Sequence, residues 1–237
     1  MRVKHSTVFI TGASRGIGLA FAREALARGA AKVYAGVRHP DAFTEIGIVP
    51  VRLDVTEIHS VAEAVRRAPG VTLLINNAGI AEVCDHPFAD DIEEQSRQLF
   101  ETNYYGVIRM IQAFAPTLPG QGAGAIINVL SDATWKPIPI LTPYAATKAA
   151  AWSYTNAVRL HLRDRGVQVL GPHVGFVDTD LTKGVDAPKS DAVDVVRWTL
   201  DALEAGESEV MADEGTRALK RSLSAKEPGY IDPLVFG

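Results

Sequence analysis

Tyr144 and Lys148 are four residues apart in the stretch Thr-Pro-Tyr-Ala-Ala-Thr-Lys, residues 142–148. On a helix this spacing places both side chains on one face, one turn apart. Thr142 and Pro143 predict that the helix begins here, with Thr142 as the N-cap and Pro143 in the first turn. A free phenol has a pKa of about 10 and is a poor acid or base at neutral pH. An ammonium group nearby favours the phenolate, so we expect Lys148 to lower the pKa of Tyr144 toward the working range.

Such a pair also occurs on solvated surface helices, and the rest of the chain decides between the two interpretations. A glycine-rich turn, Gly12-Ala13-Ser14-Arg15-Gly16-Ile17-Gly18, follows a predicted strand at residues 6–10 and precedes an apolar helix at residues 19–28. Strand, turn and helix in this order can hold a phosphate, because glycines allow close approach and the helix presents free N–H groups. A turn that only connects the two elements is the alternative that this stretch alone leaves open.

The end of the second predicted strand, residues 32–37, indicates which dinucleotide is bound. NAD-binding folds place an acidic residue here for the ribose 2′-hydroxyl, whereas this chain has uncharged Gly36 and Val37 followed by Arg38. Arg38 and Arg15 together could bind a 2′-phosphate through their guanidinium groups. Two ordinary surface arginines are the alternative. The pattern predicts NADP(H).

Strands and helices alternate along the remaining chain. Further strands are predicted at residues 48–55, 71–75, 123–130, 167–170 and 208–211, with helices at residues 56–67 (Thr56 as N-cap), 90–116, 144 to about 165, and 191–203. This alternation predicts a doubly wound Rossmann-type α/β fold, with a parallel sheet covered by helices on both faces and the ligand at the carboxyl ends of the strands. We expect one domain over residues 1–237, whose tail, about residues 213–237, docks on its own fold or on a partner subunit.

Composition excludes several classes of function. The 237 residues carry a net charge of -4, so no basic patch for nucleic acid or membrane lipid is expected. No apolar run is long enough to span a membrane. The single cysteine, Cys84, and six scattered histidines predict neither a disulfide nor a metal site. We expect a cytoplasmic protein that binds a small molecule.

Four further polar residues require hydrogen-bond partners. Asn76 and Asn77 end a predicted buried strand, where their simplest role is to tie neighbouring strands together. Asn103 falls within an apolar helical stripe and must bond to a distorted backbone or to water. Ser131 follows a strand, where a serine is usually only a turn residue.

Taken in order, these motifs resemble the short-chain dehydrogenase/reductase family. They are Thr11-Gly12-x-x-x-Gly16-x-Gly18, Asp54-Val55, Asn76-Asn77-Ala78-Gly79, Asn103, Ser131 and Tyr144-x-x-x-Lys148. The match covers residues 6 to about 181 and is closest to the compact single-domain branch. It implies seven parallel strands and an NADP(H)-dependent oxidoreductase that transfers hydride between the nicotinamide and a carbonyl or alcohol substrate.

The resemblance also implies roles for individual residues. Tyr144 is the expected acid/base, Lys148 lowers its pKa and holds the nicotinamide ribose, Ser131 bonds the substrate oxygen, and Asn103 holds a water in a proton relay. The expected cofactor contacts are Gly12, Ser14, Arg15, Gly16, Ile17, Gly18, Arg38, Asp54, Val55, Asn77, Ala78, Gly79, Tyr144, Lys148, Val177 and Thr179. Homodimers or homotetramers are expected from the family.

The chain differs from the family at Val174-Gly175, where Pro-Gly is usual. Trp135 and nearby aliphatic residues are expected to form an apolar wall of the substrate pocket, beside Ser131 and Tyr144. We therefore expect an apolar or aromatic aldehyde or ketone as substrate. A non-catalytic NADP(H)-binding redox sensor is the alternative, although a sensor needs none of the four catalytic residues. A sugar-nucleotide epimerase or dehydratase is disfavoured, since those chains usually carry a larger substrate domain.

Overall fold

The protein is described by a computed structural model over residues 1–136 and 138–231. Within these residues the strands are β1 (Thr7–Thr11), β2 (Lys32–Val37), β3 (Val49–Arg52), β4 (Leu73–Asn76), β5 (Ala125–Asn128), β6 (Gln168–His173) and β7 (Glu209–Met211). They form one seven-stranded sheet in the order β3-β2-β1-β4-β5-β6-β7. Every neighbouring pair is parallel. The predicted parallel sheet is therefore confirmed.

Helices cover both faces of this sheet. They are α1 (Gly16–Ala27), α2 (Ile58–Arg67), α3 (Ile92–Phe100), α4 (Gly106–Phe114), α5 (Thr142–Leu162), α6 (Ala192–Ala205) and α7 (Glu214–Ser222). Helices α1 and α6 contribute to one hydrophobic core, and α2, α4 and α5 contribute to the other. This arrangement is the predicted doubly wound Rossmann-type fold.

Successive side chains of the central strand enter opposite cores, as the strand geometry requires. Val8 and Ile10 of β1 belong to the core beside α1, whereas Phe9 between them belongs to the core beside α2 and α4. The Phe9 ring lies 4.9 Å from the ring of Phe114. Because both faces are covered, the central strands consist almost entirely of apolar residues.

The strand order reverses direction between β1 and β4. In open parallel sheets a crevice forms at this switch point, outside the carboxyl ends of the strands. The glycine-rich turn follows β1, residues 77–79 follow β4, and Ser131 lies shortly after β5. The topology therefore brings the separate sequence motifs to one edge of the sheet.

The helix predicted at residues 90–116 is interrupted. Between α3 and α4 lies a π-helical turn, Glu101–Tyr105, which contains the buried Asn103. Such turns arise where an extra residue is accommodated in a helix, often at a functional site. Backbone distortion, one of the two expectations for Asn103, is present here, and the water alternative stays a prediction.

Two predicted N-caps are wrong. Helix α2 begins at Ile58 with Glu57 as N-cap, because the Thr56 hydroxyl donates to Asp54 Oδ1 (2.7 Å) and not to the helix. Helix α5 begins at Thr142 itself, and the Thr142 hydroxyl donates to the carbonyl oxygen of Pro139 (2.8 Å). Both helices are present where expected, shifted by one or two residues.

The C-terminal part of the described chain is more ordered than predicted. Strand β6 continues to His173, past the end predicted at residue 170, and α7 was not predicted. Asp213 caps α7, and Thr216 and Leu219 on that helix are buried, so α7 packs against the rest of the fold. The apolar residues 232–237 lie outside the described residues. In the described part of the chain, no helix combines the length and apolar character that a membrane span requires.

Candidate active site

A cavity of about 540 Å³ opens at the carboxyl edge of the sheet. This volume lies within the range of small-molecule sites. Of the predicted site residues it is lined by Gly12, Ser14, Arg15, Gly16, Ile17, Arg38, Asp54, Val55, Asn77, Ala78, Gly79, Ser131, Tyr144, Lys148, Val177 and Thr179. The glycine-rich turn and the expected catalytic side chains thus share one cavity, whereas Gly18, Asn103 and Trp135 do not line it.

The glycine-rich turn has the geometry of an anion-binding site. Gly12 has a φ of +65°, and a Cβ atom added there would lie 2.9 Å from the Cα atom of Ala78. At Gly18 an added Cβ atom would lie 2.3 Å from the carbonyl oxygen of Gly12, so this glycine allows α1 to pack closely on the turn. Arg15, the N-cap of α1, makes no side-chain capping bond. The first N–H groups of α1 are therefore available for a phosphate group.

Hydrogen bonds from the adjacent strand end hold this turn in place. The Thr11 hydroxyl accepts from the backbone N–H groups of Asn77 and Ala78, each at 2.9 Å. The Asn77 amide donates to the carbonyl oxygens of Thr11 (3.0 Å) and Gly12 (3.2 Å). Asn77 thus ties β1 to β4.

Asn76 has the same kind of role on the other side of β4. Its amide donates to Asn128 Oδ1 (2.8 Å), and the amide of Asn128 donates to the hydroxyl of Thr155 on α5 (2.9 Å). The predicted strand-tying role of both asparagines is confirmed.

Asn103 lies behind the cavity and fixes the loop after β4. Its Oδ1 accepts from the backbone N–H of Ile80 (2.8 Å), and its Nδ2 donates to the Ile80 carbonyl oxygen (2.8 Å) and the Thr147 hydroxyl (3.1 Å). The Thr147 hydroxyl in turn donates to the carbonyl oxygen of Tyr144 (2.7 Å). Asn103 therefore connects the π-helical turn to the helix that carries Tyr144, and its water-holding role stays a prediction.

Lys148 is a buried cation without an anionic partner. Its Nζ donates to the carbonyl oxygen of Val129 (3.0 Å), and no carboxylate of the described residues lies within salt-bridge distance. Burial lowers the pKa of Lys148 to about 8. An uncompensated ammonium group in a cavity wall is a suitable donor to ligand hydroxyl or phosphate oxygens.

The expected lowering of the Tyr144 pKa is not found in the protein alone. Burial raises the pKa of Tyr144 to about 12; the Ser131 hydroxyl acts to lower it, and the negative charge of Asp132 raises it further. Lys148 does not offset the burial, because its Nζ bonds to Val129 and lies 5.6 Å from the centre of the Tyr144 ring. The predicted lowering of the Tyr144 pKa was therefore wrong, and Tyr144 is a protonated acid at neutral pH.

Ser131 faces the cavity with both of its hydrogen-bonding functions in use. Its hydroxyl donates to Asp132 Oδ1 (3.1 Å) and accepts from the backbone N–H of Ala133 (3.2 Å). Asp132 also lines the cavity. Burial raises the pKa of the Asp132 carboxyl, as does the negative charge of Asp213, whereas the Ser131 hydroxyl and the Lys136 charge lower it.

Trp135 does not form the predicted pocket wall. Its indole is buried, stacked on the His173 ring at 4.0 Å between centres, and packed edge-on against Trp152 at 5.9 Å. Lys220 of α7 lies over the same indole, 4.3 Å from its centre. The prediction was wrong because Trp135 turns inward onto residues 173, 152 and 220, which are distant in sequence.

His173 is a buried residue next to the site that the sequence did not reveal. Its Nδ1 lies 3.2 Å from the Ser131 carbonyl oxygen, and its Nε2 lies 3.5 Å from Glu209 Oε1. Glu209 also accepts from Trp152 Nε1 (2.9 Å) and Lys220 Nζ (3.1 Å). The contact with His173 lowers the pKa of Glu209, as do Trp152 and Lys220, to about 2 against the opposing effect of burial.

Arg15 and Arg38 both line the cavity, as predicted for a 2′-phosphate site. Arg15 pairs with Asp180 at 3.2 Å, and both side chains are largely exposed, so an incoming anion could exchange with this carboxylate. The pKa of Asp54 is lowered. Burial alone would raise this pKa, but the hydrogen bonds from Thr56 and, to a smaller extent, the positive charge of Arg38 together outweigh the effect of burial. Two arginines, Arg15 and Arg38, and two carboxylates, Asp180 and Asp54, are thus the charged groups at this side of the cavity.

The backbone at Val174-Gly175, where the chain differs from the family pattern, is held by a hydrogen bond. The N–H of Gly175 donates to Asp213 Oδ2 (2.9 Å), so the backbone after β6 is tied to the start of α7. Thr179 lies against the glycine-rich turn, where an added Cβ atom on Gly16 would be 3.2 Å from Thr179 Cγ2. Thr179 therefore lies beside the glycine-rich turn and lines the cavity, although Val174 replaces the usual proline.

Apolar residues line the cavity near Ser131 and Tyr144. They include Ile138, Leu141, Val174, Phe176, Leu181 and Val185. Sequence reasoning missed most of these, because they come from loops whose approach to the site depends on the fold. Among the described residues, no three histidine, cysteine, aspartate or glutamate side chains are grouped so that they could hold a metal ion.

Comparisons with known proteins agree with this geometry. A family model described as short chain dehydrogenase matches residues 6–190. A sorbitol dehydrogenase from Cereibacter sphaeroides is 35% identical over 81% of this chain and 78% of its own length. An NADPH-dependent 1-acyldihydroxyacetone phosphate reductase from Schizosaccharomyces pombe is 38% identical over 73% of this chain and 60% of its own. A crystal structure of a short chain dehydrogenase from Burkholderia cenocepacia in complex with NADP superposes with a TM-score of 0.90, at 36% identity and 95% coverage of both chains.

The fold, the shared cavity and these matches define the class of protein. The chain belongs to the short-chain dehydrogenase family and is an oxidoreductase of that family.

Proposed function

We propose that the protein catalyses NADP(H)-dependent hydride transfer between the nicotinamide and an apolar or aromatic aldehyde or ketone, or the corresponding alcohol. The observation that carries this proposal is one cavity lined by the glycine-rich turn, Ser131, Tyr144 and Lys148. A reductase needs a proton donor and a nucleotide-binding site in the same cavity, whereas a redox sensor needs only the nucleotide-binding site.

The residues of the nucleotide-binding site fit a dinucleotide that carries a 2′-phosphate. Free N–H groups at the start of α1 suit a pyrophosphate, and the Lys148 ammonium suits a ribose hydroxyl. Arg38 and Arg15 suit a 2′-phosphate. The similar structure from Burkholderia cenocepacia holds NADP, and the Schizosaccharomyces pombe relative is named NADPH-dependent, which supports the same choice here.

When bound, the nicotinamide supplies or accepts the hydride. In the reduction, the carbonyl carbon gains the hydride with its electron pair and the carbonyl oxygen takes the Tyr144 phenol proton. The Ser131 hydroxyl donates to the same oxygen, where negative charge develops. Tyr144 then regains its proton from solvent. The apolar lining supports an apolar or aromatic substituent on the carbonyl.

The direct test is a panel of aldehydes and ketones with NADPH, followed by the loss of nicotinamide absorbance. Tyr144→Phe removes the proton donor, so we expect turnover to fall by about 10²- to 10⁴-fold with NADPH affinity nearly unchanged. Tyr154→Phe on the same helix is the matched control, since Tyr154 packs against the core and does not line the cavity. An active Tyr144→Phe enzyme would refute the assignment, and NADPH binding without turnover of any carbonyl would favour the sensor.

Location and assembly follow the same reasoning. We propose a cytoplasmic protein that forms a homodimer or homotetramer, as the resemblance to the family implies. Sedimentation of the purified protein tests the assembly, and a monomer at all concentrations would contradict it.

A further inference from the structure

Ser131 has one hydroxyl proton and two groups that need it. In the structure this proton is directed at Asp132 Oδ1, 3.1 Å away, while the Ala133 N–H donates to the hydroxyl oxygen. The mechanism requires the same proton to point at the substrate oxygen. A carbonyl substrate therefore competes with a carboxylate for the serine hydroxyl.

Asp132 is in a position to act on Tyr144 as well. Both residues line the cavity together with Ser131, and the carboxylate charge opposes the formation of a second negative charge on the phenol. Ser131, Asp132 and Tyr144 are thus three groups lining one cavity that can each carry an exchangeable proton. Asp132 is the member of the cluster with no assigned role.

We propose that Asp132 is a positioning residue that holds the Ser131 proton and keeps the Tyr144 phenol protonated. This proposal rests on the proposed function, since it assigns Asp132 to the same carbonyl chemistry. With Asp132 ionised, Tyr144 stays an acid to higher pH, and carbonyl reduction extends to higher pH. Conversely, alcohol oxidation needs the phenolate and begins only at higher pH.

The surroundings of Asp132 make its charge adjustable. Asp213 and Lys136 are the charged groups that act on it, the first disfavouring and the second favouring its ionised form. Asp213 is itself fixed by the N–H of Gly175 (2.9 Å) and by the N–H and hydroxyl of Thr216 (2.7 Å each). If Asp132 takes up a proton, it can donate to the Ser131 oxygen, and the serine proton becomes free for the substrate. The Ser131–Asp132 pair thus gains one proton, the one that Asp132 takes up.

Asp132→Asn and Asp132→Ser remove the charge and keep a hydrogen-bonding group beside Ser131. The first readout is the pH profile of kcat/KM in both directions. We expect the limb that reports Tyr144 to move to lower pH by about one unit in both directions. Glu227→Gln removes one negative charge from an exposed residue outside the cavity, and its profile should superpose on that of the wild type.

The second readout needs no substrate. Ionisation of Tyr144 is followed by near-ultraviolet absorbance, as the difference between each protein and its counterpart carrying Tyr144→Phe. The Asp132 variants should titrate at lower pH than the wild type. A shifted titration without turnover of any carbonyl leaves the role of Asp132 intact and refutes the proposed function. Unshifted titration and unshifted profiles in both variants, with turnover intact, overturn the role of Asp132 alone.

Discussion

The imidazole of His173 holds the backbone of Ser131 from behind. Its Nδ1 lies 3.2 Å from the Ser131 carbonyl oxygen, and the ring is fully buried. Because a carbonyl oxygen only accepts, Nδ1 must carry a proton in this contact. The Nε2 atom lies 3.5 Å from Glu209 Oε1. The serine is thus connected through His173 and Glu209 to Lys220 of the C-terminal helix.

Substitution of His173 should therefore reduce catalysis without reducing cofactor binding. We expect His173→Phe to lower kcat by about 10- to 100-fold, because displacement of a catalytic group by about 1 Å costs this much, while the Kd of NADPH is unchanged. His173→Asn, whose amide can still donate to the Ser131 carbonyl, should recover part of the loss. Steady-state kinetics and NADPH titration check both variants. Equal kcat values in the Phe variant and the wild type would show that the Ser131 backbone needs no such support.

Glu209 should make stability depend on pH in the acid range. Its pKa is about 2 in the folded protein against an ordinary value of 4.5, so its contribution is present above about pH 4.5 and is lost as the pH falls toward 2. At pH 7, Glu209→Gln should lower the free energy of unfolding by about 1.5–3 kcal/mol, the range for hydrogen bonds to a charged group. The difference from the wild type should shrink in denaturant unfolding at pH 3. Glu207→Gln, at an exposed position nearby, is the control and should change stability little at either pH. A difference that is the same at pH 7 and pH 3 would count against the carboxylate as its source.

Lys148 should reduce the stability of the unliganded protein. Burial lowers its pKa from 10.5 to about 8, a difference that corresponds to about 3 kcal/mol. Below pH 8 the folded protein bears this cost, and stability rises from pH 8 to 10.5, since only the unfolded chain then keeps the proton. Lys148→Met should thus raise the free energy of unfolding at pH 7 by about 1–3 kcal/mol, after loss of the bond to Val129, and abolish turnover.

Thermal unfolding at pH 7 and pH 10 checks the Lys148 prediction. The gain in Tm should be larger at pH 7 than at pH 10. The exposed Lys226→Met should leave Tm nearly unchanged and serves as control. A lower Tm of Lys148→Met at pH 7 would mean that the ammonium is stabilised in the unliganded site.

Arg38 should set the choice between the two nicotinamide cofactors. Arg38→Asp replaces a cation with the acidic group that suits a ribose 2′-hydroxyl. Loss of a charge-assisted contact of about 1.5–3 kcal/mol predicts a 10- to 150-fold fall in preference for NADPH over NADH. The ratio of kcat/KM for the two cofactors measures it. Arg52→Asp, the same charge reversal at an exposed residue outside the cavity, should leave the ratio unchanged. An unchanged ratio in the Arg38 variant would mean that Arg38 faces solvent in the complex.

Local patterns were sufficient to predict the fold and most of the cavity. The glycine-rich turn, the strand-end asparagines and the spacing of Tyr144 and Lys148 act through neighbouring backbone, so their residue types carry the information. The strand predicted at residues 167–170 continues through Gly171 and Pro172 to His173. Pro172 contributes its carbonyl oxygen, which accepts from the N–H of Leu130 (2.8 Å), and needs no N–H there.

What sequence could not predict depends on contacts between distant segments. Trp135 turned away from the pocket because His173, Trp152 and Lys220 surround it, and these residues are distributed between positions 135 and 220 of the chain. The high pKa of Tyr144 follows from burial and from Asp132, and burial is a property of the folded cavity. The spacing of Tyr144 and Lys148 was not enough to predict this pKa, because the Lys148 ammonium donates to the Val129 carbonyl oxygen.

The π-helical turn Glu101–Tyr105 makes chain length, as well as composition, part of this site. Each residue advances an α-helix by about 100°, so removing one residue from the turn would restore a regular ladder and rotate one half of the helix against the other. The amide of Asn103 would then point away from Ile80 and Thr147. The shortened chain would have a straighter helix, but it would lose the hydrogen bond through which Asn103 connects this helix to α5, which carries Tyr144.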